Sequence, residues 1–414
     1  MKKVAIMGFG TVGSGVAEVL TNHPEIIAKN AGEPVEIKYI LDLRDFPDSP
    51  FAKYIVHDFE QIVNDPEVSV VAEVIGGTKP ALDFTRRCLE AKKHVVTSNK
   101  ELVATYGDQL LAIAEKNNVN YMFEASVGGG IPIIRPMNQC LAANEIDEIR
   151  GILNGTTNYI LDQMIKQKKS FKDALADAQK NGYAEANPAA DIEGIDACRK
   201  IAILTSMATG YHVHPDSVHT EGISGVSLRD VDYADAAGRV VKLIGRSVNL
   251  GNGRQYIIVS PHMLKKSDPM ASVDDVFNAI MIHGDAVGDV MFYGRGAGKL
   301  PTASAVTADI IDCVKHDKRR RWMDWAASRD NSVIDYLDFD VAYYVRMWCS
   351  DKAGAEKAVS DILGSCEYIK LADAPAEEAA FMTGTMREGD IQEKLAQLEK
   401  CGAVSSIESR IRLL

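Results

Sequence analysis

The first third of the chain alternates short apolar runs with stretches of amphipathic, helix-like periodicity. The predicted strands are residues 4–7, 35–41, 68–75, 94–97 and 120–124. The predicted helices between them are residues 12–28, 81–92 and 108–117. Strands that are apolar nearly throughout, alternating with helices, are typical of a parallel sheet covered on both faces. Residues 1–133 are therefore predicted to form an α/β domain with a doubly wound parallel sheet of the Rossmann type.

The middle third has a mixed pattern, which predicts an α+β domain over residues 134–296. Long helical stretches are predicted at 156–181 and 190–209, and residues 256–260 are β-like. Another helix, with a proline near its first turn, is predicted within 297–316.

The last part of the chain, after a charged and irregular stretch, shows a separate pattern of predicted strands and helices. Residues 317–339 are predicted to be a linker, and the basic run 318–321 within it is interpreted as a solvated face. Residues 340–414 show the order strand, helix, strand, strand, helix, strand. This βαββαβ order predicts a C-terminal ferredoxin-like module.

Composition and charge exclude several classes of function. The chain has 46 Lys and Arg against 58 Asp and Glu, a net charge of −12, which argues against nucleic acid or anionic lipid as partners. No apolar run approaches the roughly 18 residues of a membrane span, so no membrane partner is expected. The seven cysteines are scattered, and Gly8 comes too early for a signal peptide. A cytoplasmic protein with reduced thiols is expected.

A glycine-rich motif follows the first predicted strand and precedes the first predicted helix. Its residues are Gly8, Phe9, Gly10, Thr11, Val12 and Gly13. Glycines in this GxGxxG pattern allow a tight turn and close approach of the backbone to a pyrophosphate, which meets the helix N-terminus. The context favours dinucleotide binding over a structural turn.

The choice between NAD and NADP stays open at the end of the second strand. Asp42 could accept hydrogen bonds from the ribose hydroxyls of NAD, whereas Arg44 could bind the 2′-phosphate of NADP. Surface roles for both residues are further alternatives.

The densest polar cluster of the chain lies in residues 182–200. Asp196 and Lys200 are four residues apart and share one face of an otherwise apolar helix, so they need each other or a ligand. An isolated pair would be interpreted as a structural ion pair. The additional acids Glu185, Asp191 and Glu193 favour a substrate site, because so many carboxylates repel unless a cation binds.

Two further segments follow predicted strands of the first domain. Residues 97–100, with Lys100, come at the carboxyl end of a parallel strand, where ligand crevices form. The glycine triplet 128–130 could bind a cation or a polar substrate through its backbone, although a plain hinge is an alternative.

With these motifs, the chain resembles the homoserine dehydrogenase family over nearly its whole length. The resemblance rests on Ala178, Gly182, Tyr183, Ala184, Asn187, Pro188, Asp191, Ile192, Gly194, Asp196 and Lys200, and on the segments 73–77, 97–100, 154–158 and 292–298. It implies NAD(P)-dependent interconversion of L-homoserine and L-aspartate 4-semialdehyde, in the route to threonine and methionine.

The resemblance also implies roles for individual residues. Lys200 would donate the proton to the aldehyde oxygen, with Lys100 close by as a second catalytic residue. Substrate would be bound by Glu185, Asp196, Asp191, Tyr183 and Thr156. The cofactor, NADP or NAD, would be lined by the glycine motif and by Asp42, Arg44, Gly76, Thr97, Ser98, Lys100, Gly182 and Gly296. A monovalent cation such as sodium would be bound by Glu124, Val127, Gly129 and Ile131.

The resemblance extends to assembly and regulation. Residues 134–296 would bind the substrate and form the contact of a homodimer or homotetramer, and the helix within 297–316 would return to the nucleotide domain. Residues 340–414 resemble an ACT regulatory domain that could bind an amino-acid effector such as threonine.

Two alternatives compete with this interpretation. One is a dinucleotide or amino-acid sensor of the same fold without turnover. The other is a phosphorylating semialdehyde dehydrogenase, which needs a nucleophilic cysteine with a histidine base, and no cysteine here lies in an identifiable catalytic loop.

Overall fold

The computed structural model describes residues 1–319 and 324–414. The chain divides into two compact units, each made of three stretches of sequence. The first unit comprises residues 1–147, 202–217 and 280–330, and the second comprises residues 148–201, 218–279 and 331–414.

The strands and helices follow one another along the described residues. The strands are β1 Lys2–Met7, β2 Val35–Leu41, β3 Ile55–Val56, β4 Val68–Glu73, β5 His94–Thr97, β6 Tyr121–Met122, β7 Ile146–Ile152, β8 His219–Thr220, β9 Arg239–Asn249, β10 Gln255–Lys265, β11 Phe277–Gly284, β12 Gly288–Arg295, β13 Asp340–Val341, β14 Tyr343–Cys349, β15 Glu367–Tyr368, β16 Glu378–Met382, β17 Met386–Arg387 and β18 Val404–Leu413. The helices are α1 Thr11–Asn22, α2 Pro24–Ala31, α3 Glu60–Val63, α4 Ala81–Glu90, α5 Lys100–Asn117, α6 Ile134–Gln139, α7 Gly155–Gln167, α8 Phe171–Lys180, α9 Ala189–Ile192, α10 Ile195–Thr209, α11 Leu228–Ala236, α12 Lys299–Lys315, α13 Lys352–Leu363 and α14 Glu388–Glu399.

The first unit is built on a parallel sheet with the strand order β3-β2-β1-β4-β5-β6. From β1 the chain proceeds through β2 to β3 at one edge, and from β4 it proceeds through β5 to β6 at the other edge. The direction of progress across the sheet therefore reverses between β1 and β4. Such a reversal opens a crevice at the carboxyl ends of the strands, where ligands bind in doubly wound sheets. The predicted Rossmann-type sheet is therefore confirmed.

Helix α12 returns to this unit and packs directly against α1. A Cβ added to Gly15 of α1 would lie 2.8 Å from the carbonyl oxygen of Lys299, so only glycine allows the two helices to approach this closely. Lys299 also pairs with Glu18 of α1 at 2.6 Å. The helix predicted within 297–316 is thus a structural part of the first unit.

The second unit is built on a mixed sheet. β9 and β10 form a long antiparallel pair, from Gln255 opposite Asn249 to Lys265 opposite Arg239. β7 extends the sheet beyond β9, and the short β8 pairs with β10 in parallel. The middle of the chain is therefore α+β, as its pattern predicts.

The C-terminal strands continue this mixed sheet instead of forming one of their own. β18 pairs in parallel with β10, with His262 opposite Arg412, and the order continues β18-β14-β16-β15. α13 and α14 cover one face through a core that includes Val345, Val359, Phe381 and Leu395. The predicted order of elements is present. Residues 340–414 nevertheless belong to the second compact unit, together with residues 331–339.

Four predicted helices have different bounds in the structure. The stretch 12–28 divides because Pro24 begins α2, and 156–181 divides at Lys168, which has a φ of 53°. The stretch 108–117 begins earlier, at Lys100, because the side chain of Asn99 accepts a hydrogen bond from the amide of Leu102 and caps α5. Likewise, 190–209 contains the short α9 and then α10.

The described part of the predicted linker 317–339 contains a buried tryptophan. Trp325 is buried, lies against Gly107 and donates its indole N–H to Nδ1 of His212 at 3.1 Å. The sequence pattern did not predict this buried contact, because a single tryptophan forms no repeating pattern. Of the basic run 318–321, residues 320 and 321 lie outside the described residues. Among the described residues, no helix combines the length and apolar character needed to cross a bilayer.

Candidate functional site

The glycine motif forms the turn between β1 and α1. Gly8 has a φ of 100°, and a Cβ on Gly13 would lie 1.9 Å from the carbonyl oxygen of Gly8, so both positions require glycine. Around a Cβ on Gly10, in contrast, the described residues other than its two chain neighbours place no atom within 4 Å. Gly10 caps α1 without any side-chain hydrogen bond to the first turn of the helix. This open N-terminus fits a pyrophosphate.

A cleft of about 870 Å³ lies beside the glycine motif. Phe9, Gly10 and Thr11 line one part of it, and Val12 is the second residue of α1. The Phe9 ring is buried and meets the rings of Phe46 and Phe51, with centroids 4.9 Å and 6.0 Å away. The cleft therefore offers an apolar wall next to open backbone amides, which suits a nucleotide.

Asp42 and Arg44 are joined at the end of β2. Each carboxylate oxygen of Asp42 accepts two hydrogen bonds, three in all from the backbone and guanidinium of Arg44 and one from the amide of Phe9, at 2.8–3.0 Å. The Arg44 guanidinium beside it holds the pKa of Asp42 well below its usual range. Asp42 is therefore a saturated anion, while the side chain of Arg44 remains 64% exposed.

The carboxyl ends of β4 and β5 are linked by a buried polar network. Glu73 is buried and accepts hydrogen bonds from the amide of Ile75 at 2.9 Å and from the hydroxyl of Thr97 at 2.7 Å. Burial raises the pKa of Glu73. The side-chain amide of Asn99 donates to the carbonyl oxygen of Gly77 at 2.6 Å. The network fixes the loop that contains Gly76 beside the first residues of α5.

Two predicted residues lie next to this network. Ser98 and Lys100 are half-buried, and Lys100 is the first residue of α5. Sequence reasoning included Thr97 but missed Glu73 and Asn99, although the segment 73–77 and the Asn99 cap were visible in the sequence.

In the second unit, three predicted residues meet around one asparagine that was not predicted. Lys200 and Asp196, both buried on α10, pair at 2.6 Å, and the Lys200 amine also donates to the carbonyl oxygen of Leu153 at 2.7 Å. The side-chain amide of Asn154 donates to Asp196 at 2.9 Å and to Asp191 at 2.7 Å. Burial raises the pKa of Asp191. Two carboxylates thus lie close to one ammonium group.

The other predicted substrate residues lie around the turn after α8. Gly182 has a φ of 74°, and the carbonyl oxygen of Tyr183 accepts a hydrogen bond from the Thr156 hydroxyl at 2.7 Å. This bond ties the turn to the start of α7. The residues Gly182, Tyr183 and Glu185 are exposed, so the structure leaves their side of the turn accessible.

The residues predicted to bind a cation lie in a tight loop of the first unit, residues 124–131. The buried carboxylate of Glu124 accepts hydrogen bonds from three successive backbone amides, those of residues 133–135, at 2.6–3.0 Å. It therefore caps the start of α6. Val127 and Ile131 are buried, and a Cβ on Gly129 would lie 2.5 Å from the carbonyl oxygen of Gly296, which packs the predicted cofactor residue Gly296 against this loop.

Comparisons with known proteins cover both units. The sequence profile described as homoserine dehydrogenase, NAD binding domain, matches residues 8–124, and the profile described as homoserine dehydrogenase matches residues 132–311. The chain is 37% identical to the homoserine dehydrogenase of Synechocystis sp., over 100% of this chain and 99% of the relative, and 38% identical to that of Pseudomonas aeruginosa, over 99% and 98%.

The chain belongs to the homoserine dehydrogenase family.

The solved structures of the family agree with this assignment. The homoserine dehydrogenase of Thiobacillus denitrificans has a TM-score of 0.92 and 34% identity, covering 100% of this chain and 98% of that chain. A hyperthermophilic archaeal homoserine dehydrogenase solved with NADPH has a TM-score of 0.65 and 29% identity, covering 76% and 98%. As a homoserine dehydrogenase family member, the chain is an NAD(P)-dependent oxidoreductase. The alternative of a sensor without turnover is not favoured.

Proposed function

We propose that the protein interconverts L-homoserine and L-aspartate 4-semialdehyde in the route to threonine and methionine. The observation that carries the proposal is the buried Lys200–Asp196 pair beside Asp191. It occurs in a member of the homoserine dehydrogenase family whose glycine turn between β1 and α1 leaves space for a dinucleotide at Gly10. A bound nicotinamide cofactor supplies the redox chemistry by exchanging hydride with the substrate carbon.

The roles of this chain's own residues follow from their contacts. Lys200 holds a proton at the substrate oxygen, and its bonds to Asp196 and to the Leu153 carbonyl aim the amine. We assign Asp191 and Asp196 to the amino or hydroxyl group of the substrate, together with Glu185, Tyr183 and Thr156 on the turn tied to α7. Lys100 is assigned as a second catalytic ammonium group.

The proposed function predicts that the purified protein reduces NADP or NAD only when L-homoserine is added. The measurement is the rise in nicotinamide absorbance, with L-serine, which is one methylene shorter, as the control substrate. A protein that binds dinucleotide but shows no homoserine-dependent turnover would contradict the proposal and support the sensor. Reduction of NADP or NAD with L-aspartate 4-semialdehyde as substrate and only when phosphate is added would support the phosphorylating dehydrogenase instead.

We propose NADP as the preferred cofactor, with NAD as the weaker alternative. All four acceptor positions of the Asp42 carboxylate are used within the protein, so Asp42 has little capacity to bind ribose hydroxyls. The exposed guanidinium of Arg44 has N–H groups left for a 2′-phosphate. The cofactor assignments to the glycine motif, Gly76, Thr97, Ser98, Lys100, Gly182 and Gly296 are part of the same proposal.

Replacing Arg44 by alanine is expected to lower kcat/KM for NADP by about 10–100-fold, because a charge-assisted bond to the phosphate is lost. The value for NAD should stay equal or rise, since Asp42 is released to accept ribose hydroxyls. Steady-state kinetics with both cofactors measure this. Arg86→Ala, which removes another exposed ion-paired arginine from the same unit, is the control. An equal loss with both cofactors would argue against the proposal.

A sodium-type cation is proposed at the loop of residues 124–131, bound by Glu124, Val127, Gly129 and Ile131. The Glu124 carboxylate accepts three backbone amides at the start of α6, so we assign the cation mainly to the backbone carbonyl oxygens of these four residues. Hard oxygen donors of this kind suit an alkali cation. Equal activity in sodium and choline chloride at matched ionic strength would contradict the proposal.

The domain roles are proposed with the predicted boundaries. Residues 1–133 with the helix in 297–316 bind the dinucleotide, residues 134–296 bind substrate and form the subunit contact, and residues 340–414 beyond the 317–339 segment act as an ACT-like module. The βαββαβ order with neighbours β18-β14-β16-β15 supports the last assignment. An activity and oligomeric state unchanged by millimolar threonine would contradict threonine as its effector.

A homodimer or homotetramer is proposed, with β12 in the contact. β12 ends the strand order beside β11, and alternate residues along it are exposed. Met291 and Tyr293 of β12 and the preceding Val287 are apolar and 39–53% exposed. Edge strands with apolar side chains pair readily with another chain. Sedimentation that gives a monomer at micromolar concentration would contradict this proposal.

A further inference from the structure

Asn154 bridges the charged cluster of the second unit. It caps α7, because its Oδ1 accepts a hydrogen bond from the amide of Thr157 at 2.9 Å. That bond fixes the orientation of the side-chain amide, so the two hydrogens on Nδ2 point away from the helix. They are donated to Asp191 and Asp196, at 2.7 Å and 2.9 Å. The oxygen and both hydrogens of the Asn154 side-chain amide are therefore used.

The residue before Asn154 completes the arrangement. The Lys200 amine donates to the carbonyl oxygen of Leu153, and it also donates to Oδ2 of Asp196, the same oxygen that accepts from Asn154. The dipeptide Leu153–Asn154 thus contacts all three charged groups, the ammonium through a carbonyl and the carboxylates through an amide. A shift of this dipeptide would move the three groups together.

The start of α7 is itself held in place. A Cβ on Gly155 would lie 2.7 Å from the carbonyl oxygen of Val276, so the helix begins in close contact with the turn 273–277. Asn158 donates to the carbonyl oxygens of Val273 and Asp275 of this turn, both at 3.0 Å. The buried Lys242 donates to Oδ1 of Asn158 at 3.1 Å and to the Val273 carbonyl at 2.6 Å. Asn154 therefore projects from a rigid support.

The charges explain why an amide is needed at this point. Asp191 and Asp196 repel one another, and burial together with the Asp196 charge raises the pKa of Asp191, while the hydrogen bond from Asn154 opposes that rise. An amide that donates to both carboxylates stabilises their charged forms without adding charge. A second ammonium group there would compete with Lys200 for Asp196.

We infer that Asn154 is a positioning residue for the reaction: it holds the carboxylates of Asp191 and Asp196, and through Asp196 and the adjoining carbonyl it aims the amine of Lys200. The inference rests on the proposed function of the cluster. It assigns Asn154 no contact with the reacting atoms.

The decisive variant is Asn154→Asp. Aspartate caps a helix as well as asparagine does, so the start of α7 should be kept, while the added repulsion with Asp191 and Asp196 should lower the melting temperature. The two donors are replaced by a third carboxylate. We expect kcat/KM for homoserine at pH 8 to fall by about 100-fold, as misplaced catalytic groups do, mainly through kcat. The loss should shrink as the pH is lowered, because protonation of the introduced carboxyl group restores one donor; the optimum of the pH profile moves to lower pH.

Asn154→Ser is the second variant. Serine keeps the cap, but its shorter side chain has one hydroxyl donor in place of the two amide hydrogens and adds no charge. It should lower kcat without moving the pH optimum, and it keeps the inference testable if Asn154→Asp fails to fold. A value of kcat/KM within threefold of the unmodified protein in folded Asn154→Asp or Asn154→Ser, with an unchanged pH profile, would overturn the inference. Absence of homoserine turnover in the unmodified protein would instead overturn the proposed function.

Discussion

Lys200→Met is expected to lower kcat for homoserine oxidation by about 10²–10⁴-fold, the contribution typical of a positioned proton donor or acceptor. The methionine keeps the apolar stem of the side chain but holds no proton at the substrate oxygen. It also removes the ammonium group that pairs with the buried Asp196 carboxylate, so the unfolding free energy should fall by about 3 kcal/mol. Steady-state kinetics with a thermal melt separate the two effects.

Two further variants make the result specific. Lys200→Arg keeps the positive charge but cannot release a proton at working pH, so it should fold and still lose kcat. Lys394→Met removes a lysine that donates to the carbonyl oxygen of Ile362 in the same unit, and it should leave activity unchanged. A folded Lys200→Met enzyme with a kcat within threefold of the unmodified protein would refute the role of Lys200.

Gly13→Ala is expected to destabilise the first unit by about 3 kcal/mol or more and to abolish dinucleotide binding. The new Cβ would lie 1.9 Å from the carbonyl oxygen of Gly8 and 3.2 Å from Cγ2 of Val74. Because the first contact is with backbone, the turn between β1 and α1 must open, and overpacking of this kind is costly. A thermal melt and a titration with NADPH measure the two losses.

Gly10→Ala is the matched comparison in the same motif. Apart from its two chain neighbours, no residue that the structure describes comes within 4 Å of its Cβ, so the melting temperature should change little. If the pyrophosphate lies against this position, the methyl group should raise KM for the cofactor while the fold is kept. A Gly10→Ala protein with an unchanged KM would place the pyrophosphate elsewhere, and a stable Gly13→Ala protein would contradict the packing at Gly8.

Local features of the fold and of the site could be predicted from the sequence because they depend on near neighbours. The turn from β1 to α1 needs its glycines within six residues, and Asp196 and Lys200 share a helix face because they are four apart. The alternation of apolar strands with helices predicted the parallel sheet. Helix ends were less well predicted, since breaks such as Lys168 depend on one residue with an unusual φ.

Features that join distant residues could not be predicted in this way. Asn154 lies 42 residues before Asp196, and nothing in the spacing says that its amide reaches both carboxylates. The hydrogen bond from the amide of Phe9 to Asp42 and the burial of Trp325 against Gly107 are of the same kind. Each required coordinates, because a polar side chain has several possible partners and packing selects among them.

The sequence alone determined the class of fold, the dinucleotide turn, the family and the pair Asp196–Lys200, because hydrophobic periodicity and short-range hydrogen bonds are set within a few neighbouring residues. Only the tertiary structure decided that β18 continues the sheet of β10, that the amide of Phe9 donates to Asp42, and that Asn154 joins Asp191 to Asp196. These contacts arise when burial brings together polar groups from remote parts of the chain, and each such group must then find a partner.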